Sequence, residues 1–222
     1  MSNDISDKDK KDWKKFINST DKLPNKDLKN KNKKYFKNII VSLMGKHNIL
    51  NTTAAISICL NLGIAPKIIK KALYNFSGVQ RRMTKIFSKN KVEFYDDYAH
   101  HPTEIFSVLE SVKKVFQKRK IISIFQPHRY SRVDNLKKEF ASSFLISDLV
   151  LLCPIYPAGE KKDKNYKQNS FAKLIAKSSK VQVVNIEDKK DLAKYLQKNL
   201  INDEIVIGMG AGSISKWMYN LK

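Results

Sequence analysis

The stretch KIISIFQPHRYSR, residues 120–132, contains the pattern that decides the fold. Residues 121–125 form a short, continuous apolar run, which is typical of a strand buried on both faces of a sheet. Polar and cationic side chains begin at Gln126 and continue to Arg132, so the strand is expected to lead into a charged loop. A strand of this kind needs neighbouring strands, and the flanking sequence supplies them.

Apolar runs alternate with amphipathic segments on both sides of this stretch. The spacing predicts strands over 83–88, 92–95, 121–125, 149–153, 181–185 and 204–208. It predicts helices over 103–116, 133–146, 170–177, 189–200 and 213–220. Alternation of this type indicates an α/β fold, in which a mostly parallel sheet is covered by helices on both faces.

Two more helices are predicted upstream of the sheet. The first runs from Asn51, its N-cap, to Leu62, with Gly63 as its stop, and Pro66 opens the second. The residues expected to face inward are Ala54, Ala55, Ile58, Cys59, Leu62, Ile68, Ile69, Ala72, Leu73 and Phe76. Residues 1–38 are polar and rich in Lys and Asn, and we expect them to be weakly ordered or a remnant of a larger unit. These features divide the chain into residues 1–38, 39–78 and 79–222.

The chain carries a net charge of +22, from 43 basic and 21 acidic side chains. The lysines are spread along the sequence, which favours a general compositional bias over a dedicated surface for nucleic acid or membrane. Nucleic-acid binding would predict a steep salt dependence, but no motif of a nucleic-acid-binding fold is present. No apolar run is long enough to span a membrane, and no signal peptide is visible, so a cytoplasmic protein is expected. Cys59 and Cys153 lie in apolar runs and are expected to be buried and reduced.

Polar segments follow several of the predicted strands. They are DDYAHHP (96–102), QPHRYSR (126–132), PIYPAGE (154–160) and GMGAGS (208–213). In an open α/β sheet, ligands bind beyond the carboxyl ends of the strands, so these segments are expected to meet at one edge. The histidines of the chain all fall in predicted loops; they are His47, His100, His101 and His128. The sequence therefore predicts a ligand site at this edge.

The DDYAHHP segment is open to more than one interpretation. It could be a capping loop with solvated charges at the start of the helix that follows Pro102. A zinc site built on Asp97, His100 and His101 is conceivable, but adjacent histidines rarely bind one ion and a fourth ligand is not evident. The density of charged and aromatic side chains exceeds what a cap needs, which favours a ligand site.

Arginine pairs occur at two places. Arg129 and Arg132 have a spacing that lets two guanidinium groups converge on one carboxylate or phosphate, although both could also stand at a solvated helix start. Arg81 and Arg82 lie between the helical pair and the sheet. A phosphate clamp and an interdomain salt bridge fit this second pair equally well.

The remaining candidates are less specific. Asn48 and Asn51 could read the edge of a heterocycle, since each amide offers a donor and an acceptor, but Asn51 could simply be a cap. GMGAGS has Ser213 where a dinucleotide fingerprint needs its third glycine, so it indicates no more than a close backbone approach.

In combination these motifs are much more specific. GKHNILNTTAAI, GVQRRM, DDYAHHPTEI, IFQPHRYSR, PIYPAGE and GMGAGSISKW follow one another in this order. Over residues 39–217 the chain resembles the alanine-adding members of the ATP-dependent Mur ligase family. The QPHRYSR segment favours this branch over the murein-peptide recycling branch, which shares an AHHP loop. The resemblance implies a Rossmann-like C-terminal domain, preceded by a helical remnant of the central ATPase domain.

The resemblance also implies a reaction. ATP phosphorylates the carboxylate of UDP-N-acetylmuramic acid, and the amine of L-alanine then attacks the acyl phosphate to form an amide in peptidoglycan precursor synthesis. Mg²⁺ neutralises charge during phosphoryl transfer. Positions that match the family's nucleotide contacts are Asn48, Asn51, Arg82 and Asp97. Asp97 and His101 are placed beside the reaction centre, and the amino acid would be held by Tyr98, His128, Arg129 and Arg132.

The departures from the family concern the other half of the chemistry. No GxxxxGK[ST] phosphate loop occurs in the 222 residues, and the domain that binds the UDP-sugar is absent. The Mg²⁺ ligands are expected in that upstream part, and Met83 stands where the family usually has Phe. We therefore expect a ligase piece that needs a missing part, which a separately encoded N-terminal half could supply. A catalytically silent module that binds nucleotide or amino acid is the alternative.

Overall fold

A computed structural model describes residues 39, 46–76, 78–201 and 203–222. The prediction for residues 1–38 lies outside these residues. The strands form one six-stranded sheet in the order β1-β2-β6-β3-β4-β5. Their bounds are β1 (Thr84–Lys89), β2 (Val92–Asp97), β3 (Ile121–Phe125), β4 (Leu149–Leu152), β5 (Gln182–Asn185) and β6 (Ile205–Met209). β1 is antiparallel to β2 and every other pair is parallel, so the predicted α/β fold with a mostly parallel sheet is confirmed.

Helices pack on both faces of this sheet. The helices are α1 (Lys46–Asn61), α2 (Pro66–Asn75), α3 (Pro102–Val115), α4 (Tyr130–Asn135), α5 (Lys137–Ser142), α6 (Gln168–Ser179), α7 (Lys189–Asn199) and α8 (Ile214–Tyr219). One core lies between the sheet and helices α3 to α6, and includes Leu109, Phe125 and Phe140. The other lies beneath α7 and α8, and includes Ile124 and Met218. Adjacent residues of β3 serve opposite cores because successive side chains in a strand alternate between faces.

The first two strands form a hairpin closed by Asn90 and Lys91. Both residues have positive φ, at 50° and 65°, as a two-residue type I′ turn requires. The hairpin therefore places an antiparallel strand at the edge of an otherwise parallel sheet, and β2 carries its carboxyl end to the same side as β6 and β3.

Two helix predictions need correction. α1 includes Lys46–Asn61, so His47 lies in a helix and Asn51 is an interior residue, not the N-cap. Asn in a helix interior is unfavourable by less than about 1 kcal/mol relative to Ala, so its preference for caps did not fix the start. The helix predicted over 133–146 is two helices separated at Leu136, and the second ends at Ser142. The Ser142 hydroxyl donates to main-chain carbonyls one turn back, which competes with continuation of the helix.

The helical pair ends as predicted but is less buried than predicted. Gly63, at φ 78°, stops α1: its N–H donates to Leu60, and the next N–H donates to Cys59. Ile69 is buried, whereas Ile58 and Leu62 are 61% and 74% exposed. Cys59 is half-buried, which corrects the expectation of a buried thiol, while Cys153 is buried as expected. Within the described residues, most of the predicted inner face of α1 is therefore not covered.

Candidate active site

The polar segments meet at the carboxyl edge of the sheet, as the sequence predicts. The Gly210 N–H donates to the carbonyl of Asp97 at 3.3 Å, which joins the loop after β6 to the end of β2. The Tyr156 N–H donates to the carbonyl of Pro127 at 2.8 Å, and the Arg129 N–H donates back to the carbonyl of Tyr156 at 2.9 Å. The loops after β2, β3, β4 and β6 are thus connected through their main chains.

Four aromatic rings form a row across these loops. The ring centroids of Tyr98 and His100 are 5.2 Å apart, those of His100 and His128 are 5.8 Å apart, and those of His128 and Tyr156 are 5.6 Å apart. Burial lowers the pKa of His128, and electrostatic interaction with the guanidinium of Arg132 lowers it further. A histidine in this environment favours its neutral form near pH 7, in which one ring nitrogen accepts a hydrogen bond.

Arg129 and Arg132 lie at the start of α4. Arg129 is the N-cap residue, and its φ of 71° is unusual for a residue other than glycine. Arg132 lies one turn later, with Nη1 3.3 Å from Nδ1 of His128. Between them, the N–H of Ser131 donates to the carboxylate of Glu160 at 3.2 Å, and its hydroxyl donates to the same carboxylate. Both predicted carboxylate-binding arginines are therefore at the edge of the sheet, on a turn braced by Glu160.

The DDYAHHP segment contains a helix cap as well as a buried carboxylate. His101 caps α3: its Nδ1 accepts from the Thr103 N–H at 3.4 Å, and Glu104 completes the capping box. Asp97 is buried at the end of β2, where it accepts from the N–H groups of Met83 and Ala99, each at 2.8 Å. Burial raises the pKa of Asp97, although these two N–H groups and the charge of Arg82 act in the opposite direction.

The sequence did not single out Asp96, which is fully buried in the same segment. Its Oδ2 accepts from the Ser215 hydroxyl at 2.5 Å and lies 3.6 Å from Nε of Arg81. Arg81 also donates to the Gly210 carbonyl, and its guanidinium carbon lies 4.6 Å from the ring centroid of Tyr98. Burial raises the pKa of Asp96, while Ser215 and Arg81 act to lower it. Arg81 and Asp96 both lie in the predicted 79–222 segment, so this salt bridge lies within one predicted domain and is not the interdomain bridge considered for this pair. The phosphate clamp stays a prediction.

The other nucleotide candidates lie farther back along the chain. Arg82 is exposed, next to Arg81. Asn48 and Asn51 occupy successive turns of α1, so they share one side of that helix; Asn48 is half-buried and Asn51 is exposed. Their assignment to adenine stays a prediction.

Sequence reasoning missed Tyr156, Gly212 and Gln126. The Gln126 side chain accepts from the Ile214 N–H at 2.9 Å and donates to the Ser213 hydroxyl at 3.1 Å, so it fastens the last loop to the QPHRYSR loop. A glycine-rich turn signals close approach, but it does not say what approaches. Here the neighbour of Gly212 is the Tyr156 ring.

The part of the chain that the structure describes offers no metal site. No group of three or more His, Cys, Asp or Glu side chains in residues 46–76, 78–201 and 203–222 is arranged to hold an ion. Among these residues, no helix has both the length and the apolar character that crossing a membrane requires.

Comparison with known proteins assigns the family. Residues 81–212 match the sequence profile described as Mur ligase, glutamate ligase domain. The chain belongs to the Mur ligase family. It is 52% identical over 183 residues to a UDP-N-acetylmuramate–L-alanine ligase of Pelagibacter ubique, which covers 82% of this chain and 39% of that relative. This Mur ligase chain therefore spans about two fifths of the length of this relative.

Solved structures agree with this assignment. A UDP-N-acetylmuramate–alanine ligase from Thermotoga maritima matches at a TM-score of 0.67 and 28% identity, over 82% of this chain and 38% of that one. A murein peptide ligase from Psychrobacter arcticus matches at a TM-score of 0.61 and 23% identity, over 82% of this chain and 38% of its own, which shows a shared fold. The predicted family and the predicted fold are both confirmed.

Proposed function

We propose that this chain is the amino-acid-binding part of a ligase that joins L-alanine to UDP-N-acetylmuramic acid. The observation that carries the proposal is the position of Arg129 and Arg132 at the start of α4, beside His128. The pKa of His128 is lowered, so its imidazole favours the neutral form. Two guanidinium groups suit the carboxylate of an amino acid, because each can donate two parallel hydrogen bonds. The relatives from Pelagibacter ubique and Thermotoga maritima are named as ligases that add alanine, which supports this choice of amino acid.

The proposed reaction consumes one ATP. A carboxylate oxygen of UDP-N-acetylmuramic acid attacks the γ-phosphorus, and ADP leaves. The alanine nitrogen then attacks the carbonyl carbon of the acyl phosphate, inorganic phosphate leaves, and the nitrogen gives up a proton as the amide forms. In this scheme Arg129 and Arg132 hold the alanine carboxylate, which leaves the amine free to approach the acyl phosphate.

The described residues include candidates for contact with the nucleotide but none for Mg²⁺. The exposed Arg82 and Asn51 are available for a nucleotide, whereas both oxygens of Asp97 already accept main-chain hydrogen bonds. The described residues contain no cluster that fits Mg²⁺, so we assign no step of the reaction to a metal held by this part of the chain. A phosphate loop supplied by another polypeptide segment would have to provide that chemistry.

The helical pair offers a surface for such a segment. Large apolar side chains are exposed on it, among them Ile49, Leu50, Ile58, Leu62, Ile68 and Tyr74. Exposed apolar groups of this kind mark surfaces that another protein segment covers. We propose that the remainder of a central ATPase domain covers them, whether it precedes this sequence or is encoded separately.

Reconstitution tests the proposal. The part of the Pelagibacter ubique relative that lies outside the match would be produced separately and mixed with this chain, ATP, Mg²⁺, UDP-N-acetylmuramic acid and L-alanine. We expect alanine-dependent phosphate release from the mixture and none from this chain alone. Phosphate release by this chain alone would refute the dependence on a second part.

Two sets of variants sharpen the assay. Replacing Arg129 and Arg132 with Met should abolish the alanine-dependent phosphate release. Ile58→Glu should weaken assembly, whereas Leu145→Glu should not, because Leu145 is a comparably exposed apolar side chain outside the helical pair. Tight binding of alanine or ATP by a chain that never supports ligation would favour the silent binding module.

A further inference from the structure

The PIYPAGE loop has no role in the proposed reaction, yet it contacts His128, Arg129 and Ser131. Tyr156 lies between the QPHRYSR loop and the glycine-rich turn after β6. Tyr156 is 39% exposed, and among the described residues its hydroxyl makes no hydrogen bond. The contacts of Tyr156 are therefore made by its ring and its main chain.

Gly212 provides the seat for this ring. A Cβ atom at position 212 would lie 2.4 Å from Cγ and 2.6 Å from Cβ of Tyr156, and 2.7 Å from Oε1 of Gln126. Gly212 does not have a positive φ, so the close approach of Tyr156, and not the backbone conformation, excludes a side chain here. The turn cannot retreat easily, because Gln126 holds the next two residues by hydrogen bonds.

Tyr156 also contacts two residues of the proposed amino-acid site, His128 and Arg129. The Tyr156 and His128 rings are stacked with an interplanar angle of 19° and a centroid distance of 5.6 Å. The Tyr156 carbonyl also accepts from the N–H of Arg129, the residue whose φ of 71° is unfavourable for a side chain other than glycine. A residue held in such a conformation needs surrounding structure to keep it there, and Tyr156 supplies one of those contacts.

We propose that Tyr156, seated on Gly212, is a positioning residue that fixes His128 through its ring and Arg129 through its main chain for binding of the alanine carboxylate. The proposal rests on the proposed function, because it assumes that this carboxylate binds at Arg129 and Arg132. Its content is separate: it states that the arrangement of the site depends on the contact between Tyr156 and Gly212. Glu160, at the far end of the same loop, braces Ser131 and so acts in the same sense.

The first test uses the whole chain without ligand. The side-chain NMR signals of the histidines would be assigned by single His→Asn variants and titrated with pH. In Gly212→Ala the added methyl group displaces the Tyr156 ring, and in Tyr156→Ala the ring is lost. Both changes expose His128 to water, so the pKa of His128 should rise toward its usual value, while Tyr156→Phe should leave it unchanged.

The second test measures L-alanine. Its affinity for the whole chain would be read from the same signals, and its KM from the reconstituted ligase. Gly212→Ala and Tyr156→Ala should lower the affinity for alanine and raise its KM, each about tenfold or more. Displacement of a binding group by about 1 Å can have an effect of that size. The KM for UDP-N-acetylmuramic acid should not change, and Tyr156→Phe should behave as the unaltered chain does.

The outcomes separate the two proposals. If Tyr156→Ala leaves both the His128 titration and the alanine parameters unchanged, the positioning role is wrong. If Tyr156→Phe is as damaging as Tyr156→Ala, the hydroxyl matters and the ring-stacking argument is wrong. If the unaltered chain does not bind alanine and the reconstituted ligase releases no phosphate in response to it, the proposed function is wrong. The His128 titration still decides whether Tyr156 positions that ring. Should Gly212→Ala fail to fold, the Ala and Phe variants of Tyr156 carry the comparison.

Discussion

Replacing Arg81 with Met should destabilise the chain by an amount that increases with pH. Arg81 faces the fully buried carboxylate of Asp96 with 3.6 Å between Nε and Oδ2, and its own side chain is 25% exposed. Asp96 Oδ1 is also buried, and it has no hydrogen-bond partner among the described residues. Arg81→Met therefore leaves the buried Asp96 carboxylate without its cationic partner. The Ser215 hydroxyl still donates a hydrogen bond to it.

The expected loss has two parts. Arg81 also donates to the carbonyl of Gly210, and loss of that hydrogen bond should destabilise by about 1–2 kcal/mol at any pH. Breaking a buried ion pair by removing one partner destabilises by about 3–5 kcal/mol, and the partial exposure of Arg81 reduces this to about 2–3 kcal/mol. This second part exists when Asp96 is charged. At pH 8 the total should be about 3–5 kcal/mol.

The pH dependence follows from the direction of the Asp96 pKa. Burial raises the pKa of Asp96 in the folded chain above its unfolded value, so the folded state favours the protonated acid. The stabilisation that comes from protonated Asp96 is therefore fully present below the pKa that Asp96 has in the unfolded chain. It is lost as pH rises through the higher pKa that Asp96 has in the folded chain. Removing Arg81 raises the folded pKa further, so the loss caused by Arg81→Met is smaller at pH 4.5 than at pH 8.

Urea unfolding at pH 4.5 and pH 8 measures these parts. The double variant Arg81→Met with Asp96→Asn should recover the pH-dependent part and not the rest. Arg82→Met is the matched control, because Arg82 is exposed, and it should change the free energy of unfolding by less than about 0.5 kcal/mol. An equal loss at both pH values, or no recovery in the double variant, would refute the reasoning.

Two other predictions concern Glu93 in β2 and the two cysteines. Burial raises the pKa of Glu93, but hydrogen bonds from Lys85, Arg119 and Tyr95 outweigh this and lower it to about 2. Glu93→Gln should therefore destabilise by about 1–2 kcal/mol at pH 7, after allowance for solvent screening, and the gap should narrow as pH falls from 4.5 toward 2; a gap of constant size in urea unfolding would contradict this. Burial raises the pKa of the Cys153 thiol, so alkylation of the native chain at pH 8 should modify the half-buried Cys59 first, and equal rates would contradict this.

The sheet could be predicted from sequence because its signals are local. Each buried strand is a short apolar run, and the residues that end β3 and begin the next loop differ sharply in polarity. The break at Leu136 has no such signal, because the residues around it have ordinary helical spacing. The exposure of Ile58 and Leu62 could not be predicted either, since amphipathic spacing identifies an apolar face but not the surface that covers it.

Doublets in the motifs show where sequence reasoning about the site stops. Asp96 and Asp97 are neighbours in β2, so their side chains point to opposite faces of the sheet. The motif alone favours Asp97, whose oxygens bind two nearby main-chain N–H groups, whereas Asp96 reaches across the sheet edge to Arg81 and Ser215. Which carboxylate joins distant loops depends on strand register, which a motif does not encode.

The adjacent residues His100 and His101 likewise differ in their surroundings, because α3 begins directly after them. His101 occupies the N-cap of α3, where the need to satisfy free N–H groups directs its ring back onto its own helix. His100, one residue earlier, is released from that constraint, and its ring lies against those of Tyr98 and His128. The position of the helix start therefore decides which imidazole faces the proposed amino-acid site. For this reason His100→Asn should affect alanine binding more than His101→Asn, and His101→Asn, which keeps a capping side chain, should preserve the stability of α3.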